Sequence, residues 1–224
     1  KLPGVVWWSL KEQPPMPFVT TKITGAPGAE REFMVNGSKW LGFQEPYVYQ
    51  NQHLKPIPFC DRDHAIGSFC REELIDNQDY WSLVAVCLEA DPQVTFRYAG
   101  RVPIHEKWVK ELGLDSSRIT FLGWLTDPAT SIRTVKALLD PFTRGHGLIF
   151  REAIFAEVPI LFSWAKNAEA SVIRRTIAKA IDCNRTLNVE LLAGYRDLDS
   201  LRATAHQICN DHNAFYNSVT EARI

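Results

Sequence analysis

His64-Ala65-Ile66-Gly67-Ser68-Phe69, an amphipathic stretch over residues 77–90, and Val94-Thr95-Phe96-Arg97-Tyr98-Ala99-Gly100 follow one another in the chain. The two apolar runs have strand length and β-compatible composition. Between them Tyr80, Trp81, Val84, Cys87 and Leu88 fall on one face at helical spacing, and Asp91-Pro92 stops the helix. A buried strand, a covering helix and a second buried strand make a βα unit, so the strands are expected to lie parallel.

The unit repeats downstream. Residues 103–112 read as a helix, with Pro103 in its first turn and Gly113 past its end, and residues 118–122 as a strand. A short helix over 127–133, a strand at Val135-Lys136-Ala137-Leu138-Leu139-Asp140, a helix over 145–157 and a strand at Val158-Pro159-Ile160-Leu161-Phe162 follow. Helical period returns over 169–181 and 199–219, where Leu201, Ala205, Ile208, His212 and Phe215 share a face. Residues 61–224 are therefore expected to form an α/β domain, a Rossmann-like open parallel sheet with helices on both faces. Residues 1–60 hold eight of the thirteen prolines, and an irregular Pro/Gly-rich connector or edge is expected there. Phe18-Val19-Thr20-Thr21 and Tyr47-Val48-Tyr49 are its β-compatible pieces.

An apolar fraction of 46% in 224 residues supports a sizeable core and excludes intrinsic disorder. Lys and Arg number 25 against 26 Asp and Glu, which argues against nucleic acid or an anionic membrane as the main partner. No apolar run has the length of a transmembrane span, and Lys1-Leu2-Pro3-Gly4 lacks the regions of a signal peptide. Five cysteines without a C-x-x-C pair fit a reducing compartment, and a cytoplasmic location is expected. The chain opens without Met inside Val5-Val6-Trp7-Trp8, as expected of a fragment.

Ligands of open parallel sheets bind at the carboxyl ends of the strands. The turns there carry Gly67 and Arg71, Gly100-Arg101, Gly123-Trp124, and Asp140 followed by Arg144-Gly145-His146-Gly147. The last of these precedes the helix that contains Glu152. Its glycines and free amides suit a phosphate at a helix N-terminus, or else merely allow a sharp turn. Glu152 reaches a sugar hydroxyl, or is a solvated partner of the helix dipole. His146 is a base, a phosphate donor or a polar turn residue. Arg71 beside Cys70 would favour a lowered pKa, but no Cys-His-Asn pattern supports nucleophilic catalysis, and Cys70 reads as a small residue in a tight turn. No histidine pair has metal-ligand spacing, so no metal site is expected.

The order of these pieces carries a resemblance: Gly67-Ser68-Phe69-x-Arg71, Thr95-Phe96-x-Tyr98-x-Gly100-Arg101, Phe121-Leu122-Gly123-Trp124, Leu139-Asp140-Pro141-Phe142, and Glu152-Ala153 ahead of Val158-Pro159. Together they resemble the donor half of GT-B glycosyltransferases. Within that fold the chain looks most like bacterial adhesin-modifying protein N-glucosyltransferases and O-linked N-acetylglucosamine transferases. Val6-Trp7-Trp8-Ser9-Leu10-Lys11 is similar to a segment near the join between halves in those bacterial enzymes.

The resemblance implies the C-terminal, donor-binding part of a metal-independent hexosyltransferase. It implies a uridine diphosphate sugar as donor substrate, no cofactor, a protein or glycan acceptor, and an N-terminal lobe beyond residues 1–60. On the matched positions Glu152 binds the ribose, Gly145, His146 and Gly147 meet the diphosphate, and Phe121, Leu122 and Trp124 flank the base. Gly67, Arg71, Arg101, Asp140 and Arg144 complete the donor side. The sequence does not identify the catalytic base. Leu74 stands where the family usually has a phosphate-contacting lysine, and Leu148 and Ile149 where it has hydroxyl residues. Those departures fit an alternative, a degenerate GT-B domain serving protein interaction. A third reading is an unrelated Rossmann-like nucleotide-binding protein, although no G-x-G-x-x-G follows the first strand.

Overall fold

The computed structural model describes residues 5–8, 21–24, 32–35, 38–42, 55–141, 149, 152–153, 156–163 and 192–211. The chain divides into two units, residues 1–50 and 51–224. The first contains β1 (Val5–Trp8), β2 (Thr21–Thr24), β3 (Glu32–Val35) and β4 (Ser38–Gly42) in one sheet of order β1-β2-β4-β3. β1 with β2 and β2 with β4 are parallel, and β3 with β4 is antiparallel. The expected strand at 18–21 meets β2 only at Thr21, and the expected piece at 47–49 lies outside the described residues.

The second unit is built on β5 (Asp63–Ser68), β6 (Thr95–Tyr98), β7 (Ile119–Phe121), β8 (Val135–Leu139), β9 (Ile160–Ser163) and β10 (Leu192–Tyr195). Its described helices are α1 (Glu72–Ile75), α2 (Gln78–Ala90), α3 (His105–Leu112), α4 (Pro128–Ile132) and α5 (Leu198–Asn210). The sheet order is β10-β9-β8-β5-β6-β7 and every pair is parallel, as the expected Rossmann-like class requires. The chain runs outward from β5 to β7, then returns to place β8 on the other side of β5. Strand order reverses there, which opens a crevice at the carboxyl ends of β5 and β8.

Burial on both faces follows the sequence period. One core holds Ile66, Trp81, Phe96, Leu161 and Ile208; the other holds Ala65, Ile132, Leu138, Ala153 and Phe162. α2 starts where Asn77 Oδ1 accepts the Tyr80 N–H at 2.9 Å. Its Trp81 is fully buried, edge-on to Phe96 and Tyr98 with ring centroids 5.8 and 5.7 Å away. α3 begins at His105 rather than Pro103 because the Tyr98 hydroxyl accepts the N–H groups of Ile104 and His105, at 2.9 and 3.2 Å. Gly113, at φ 65°, closes it. Asp197 and Ser200 form a capping box at the start of α5.

A buried guanidinium ties the entry of this unit together. Arg62 Nε donates to Ile57 O at 2.9 Å, Nη1 to Glu157 O at 3.0 Å and Nη2 to Ala156 O at 3.3 Å. The chain leading into β5 is thereby fixed to the turn that follows helical Glu152 and Ala153. Of the other expected helices, residues 169–181 lie outside the described residues.

Candidate functional site

A cleft of about 560 Å³ opens at the crevice where strand order reverses. Ser68 and Phe69 from the end of β5, and Leu138, Leu139 and Asp140 from the end of β8, line its base. Arg71 and Leu74 line it from the first turn, Gly100 and Trp124 from the next two, and Ile149 from the helix beyond the fourth.

The geometry at each position follows from local packing. Gly67 does not face the cleft; a Cβ there would come within 2.6 Å of the Phe69 ring, so glycine lets Phe69 fold back over β5. Arg71 is exposed at the N-cap of α1. Leu74 N–H donates to Arg71 O at 3.0 Å, and both residues face the cleft. Asp140 is buried, with its N–H donating to Leu161 O at 2.9 Å. Beside it the buried Tyr80 O–H donates to Leu139 O at 3.1 Å.

Cys70 sits partly buried in the turn after β5. Its Sγ lies 3.4 Å from Ser68 Oγ, and burial pushes the thiol up to about 11, against the small lowering by Arg71. Cys70 is a packed thiol and not a thiolate nucleophile.

The third turn divides. Gly123, at φ 74°, turns the chain so that Trp124 is 60% exposed at the cleft mouth, with the Arg101 guanidinium 5.2 Å from its ring centroid. Phe121 and Leu122 are not among the residues that line the cleft. The Phe121 ring sits 5.1 Å from that of Tyr98, Leu122 N–H donates to Tyr98 O at 2.9 Å, and the Leu122 side chain packs on the second core.

Glu152 is helical and 7% exposed, so it is not a solvated surface residue. Ile149, one turn earlier, faces the cleft. Arg144, Gly145, His146, Gly147 and Leu148 lie outside the described residues. His64, at the opposite end of the sheet, bridges Asp91 Oδ2 at 3.3 Å and Lys136 Nζ at 3.1 Å. Among the described residues no three of His, Cys, Asp and Glu gather as metal ligands would. None of the described helices is long and apolar enough to cross a membrane.

One rim residue has no sequence signature. Glu72 Oε2 accepts the Arg101 N–H at 3.1 Å, linking the first turn to the second, and Gly100 N–H donates to Gly123 O at 3.1 Å, linking the second to the third.

The sequence matches no family profile and no curated protein. Solved structures do resemble the chain. A mutant of S. aureus TarM, in complex with fondaparinux, alpha-GlcNAc-glycerol and UDP, aligns with a TM-score of 0.53 at 14% identity, over 92% of this chain and 47% of that one. An O-GlcNAc transferase mutant of Thermobaculum terrenum aligns with a TM-score of 0.53 at 16% identity, over 92% of this chain and 40% of that one. An α,α-trehalose 6-phosphate synthase of Burkholderia multivorans gives 0.51 at 11% identity, over 91% and 53%. The chain thus spans about half the length of these structures. With its strand order and its cleft at the switch point, the likeness identifies the fold as that of the C-terminal half of a GT-B glycosyltransferase.

Proposed function

We propose that this chain is the donor-binding domain of a metal-independent glycosyltransferase that takes a uridine diphosphate sugar and passes its hexose to a protein or glycan acceptor. The observation that carries the reading is the cleft at the strand-order reversal, with a cationic Arg71 on its wall and a buried Asp140 in its base. A parallel sheet offers its ligand site at that point, and a nucleoside diphosphate needs a cation or amides near the strand ends. One of the similar structures, that of S. aureus TarM, was solved with UDP. On this reading Arg71, with the segment around Arg144 to Gly147, meets the diphosphate. Asp140 and Glu152 meet hydroxyl groups, and the turn bearing Trp124 meets the base.

Leu74 separates this from the second reading, a GT-B-like domain that serves only protein interaction. Its apolar side chain faces the cleft at the position where a phosphate-contacting cation is expected. The wild-type chain is therefore expected to bind UDP weakly, and Leu74→Lys to bind it about tenfold more tightly, since a charge-assisted contact is worth about 1.5–3 kcal/mol. Titration calorimetry of both forms decides the matter. No binding of UDP by either form removes the donor reading and leaves the interaction module. Binding that the lysine does not improve means that Arg71 already fills the phosphate seat.

A further inference from the structure

Trp124 and Leu198 are the two bulkiest exposed hydrophobic residues among those described, and Trp124 alone of the pair borders a cleft. Its position, more than its exposure, is informative: an indole on the cleft wall offers a flat apolar face that a planar ligand ring can cover. It is also held in place. The Arg101 guanidinium lies over the ring, and the Arg101 amide is fixed in turn by Glu72, a residue 29 positions earlier in the chain.

We propose that Glu72 is a positioning residue for the nucleotide base: it fixes the Gly100-Arg101 turn, Arg101 steadies the Trp124 indole at the cleft mouth, and the indole stacks on the planar base of a nucleoside diphosphate. The inference rests on the donor reading above and adds the device that sets the base platform. Three further observations support it. Glycine at 100 leaves the carboxylate room, since a Cβ there would lie 3.2 Å from Glu72 Oε2 and crowd it slightly. The Glu72 carboxyl is held below the ordinary carboxylate range by its own backbone amide first and the Arg101 amide second, so at neutral pH it is an anion that only accepts. β7 lies two strands from β5, about 10 Å across the sheet, which a ribose and base span when the diphosphate sits beside Arg71.

The test is calorimetric titration of the wild type, Glu72→Ala, Glu72→Gln, Trp124→Ala and the Glu72→Ala/Trp124→Ala double variant with UDP and with inorganic diphosphate, alongside their thermal midpoints. Stacking on one aromatic side chain sets the scale, and Glu72→Ala is expected to weaken UDP binding about tenfold while leaving inorganic diphosphate unaffected. Glu72→Gln keeps an oxygen acceptor and is expected to stay within about twofold of wild type. The double variant is expected to bind UDP no worse than Trp124→Ala, because Glu72 acts through the indole. Wild-type affinity for UDP in Glu72→Ala, equal losses for UDP and diphosphate, or additive losses in the double variant would each overturn the assignment. A wild-type chain that takes inorganic diphosphate as tightly as UDP overturns the base platform alone; one that takes neither overturns the donor reading with it.

Discussion

Replacing Arg62 by methionine is expected to lower the stability of the second unit by about 3 kcal/mol, read as a fall in the urea midpoint at unchanged slope. Methionine keeps much of the apolar stem, so the comparison isolates the loss of the guanidinium. Among the described residues the guanidinium donates to three carbonyls, those of Ile57, Ala156 and Glu157. Each hydrogen bond from a charged donor is worth about 1.5–3 kcal/mol, and bonds made by one fork are not additive, so the expected loss lies well below their sum. An ordinary surface substitution shifts stability by about 0.5 kcal/mol, and Arg62 is only 7% exposed. Arg62→Lys restores the charge without the planar fork, and an intermediate midpoint is expected. A loss under about 1 kcal/mol for the methionine variant would mean that water or neighbouring donors replace the fork. The clamp joins the chain entering β5 to the turn that leads into β9, at the end of the sheet away from the cleft, so its effect is expected on stability.

How much of this was legible in the sequence differs by element. The βα repeat was, because buried strands and covering helices leave distinct periods, and β5, β6, β8 and α2 stand within a residue or two of their expected places. β10 was not. Leu192-Ala193-Gly194-Tyr195 contains a glycine and an alanine and has little strand propensity of its own, so the ladder to β9 makes it a strand. In the first unit the prolines outweighed a hairpin signal: Asn36-Gly37 alone separates β3 from β4.

The cleft was legible as a set of strand ends, since topology determines which turns converge. Which side chain within a turn faces the ligand was not. Phe121 and Trp124 are three residues apart, yet the left-handed Gly123 between them leaves one ring against Tyr98 and the other in solvent. Glu72 was invisible because it accepts from a backbone amide, and every residue but proline carries one.

Glu152→Ala is expected to reduce UDP affinity tenfold or more, which corresponds to the loss of one or two hydrogen bonds to a charged acceptor, each about 1.5–3 kcal/mol. The residue is 7% exposed, and a carboxylate so placed is costly unless hydrogen-bonded. It lies three residues beyond the cleft-lining Ile149, in helical backbone behind the cleft wall, and is not itself one of the lining residues. A ribose offers two hydroxyl donors to such a group. The competing account gives Glu152 a purely structural role, with its carboxylate satisfied within the protein. The two accounts diverge when affinity and stability are measured on the same variants. A structural carboxylate predicts a lower thermal midpoint for Glu152→Ala and unchanged affinity of the folded protein for UDP. A ribose-binding carboxylate predicts the affinity loss for UDP, no loss for inorganic diphosphate, and partial recovery in Glu152→Gln, which retains one oxygen acceptor. Equal affinity of wild type and Glu152→Ala for UDP would take the helix after the glycine turn out of the donor site and leave Arg71, Asp140 and Trp124 to hold the nucleotide without it.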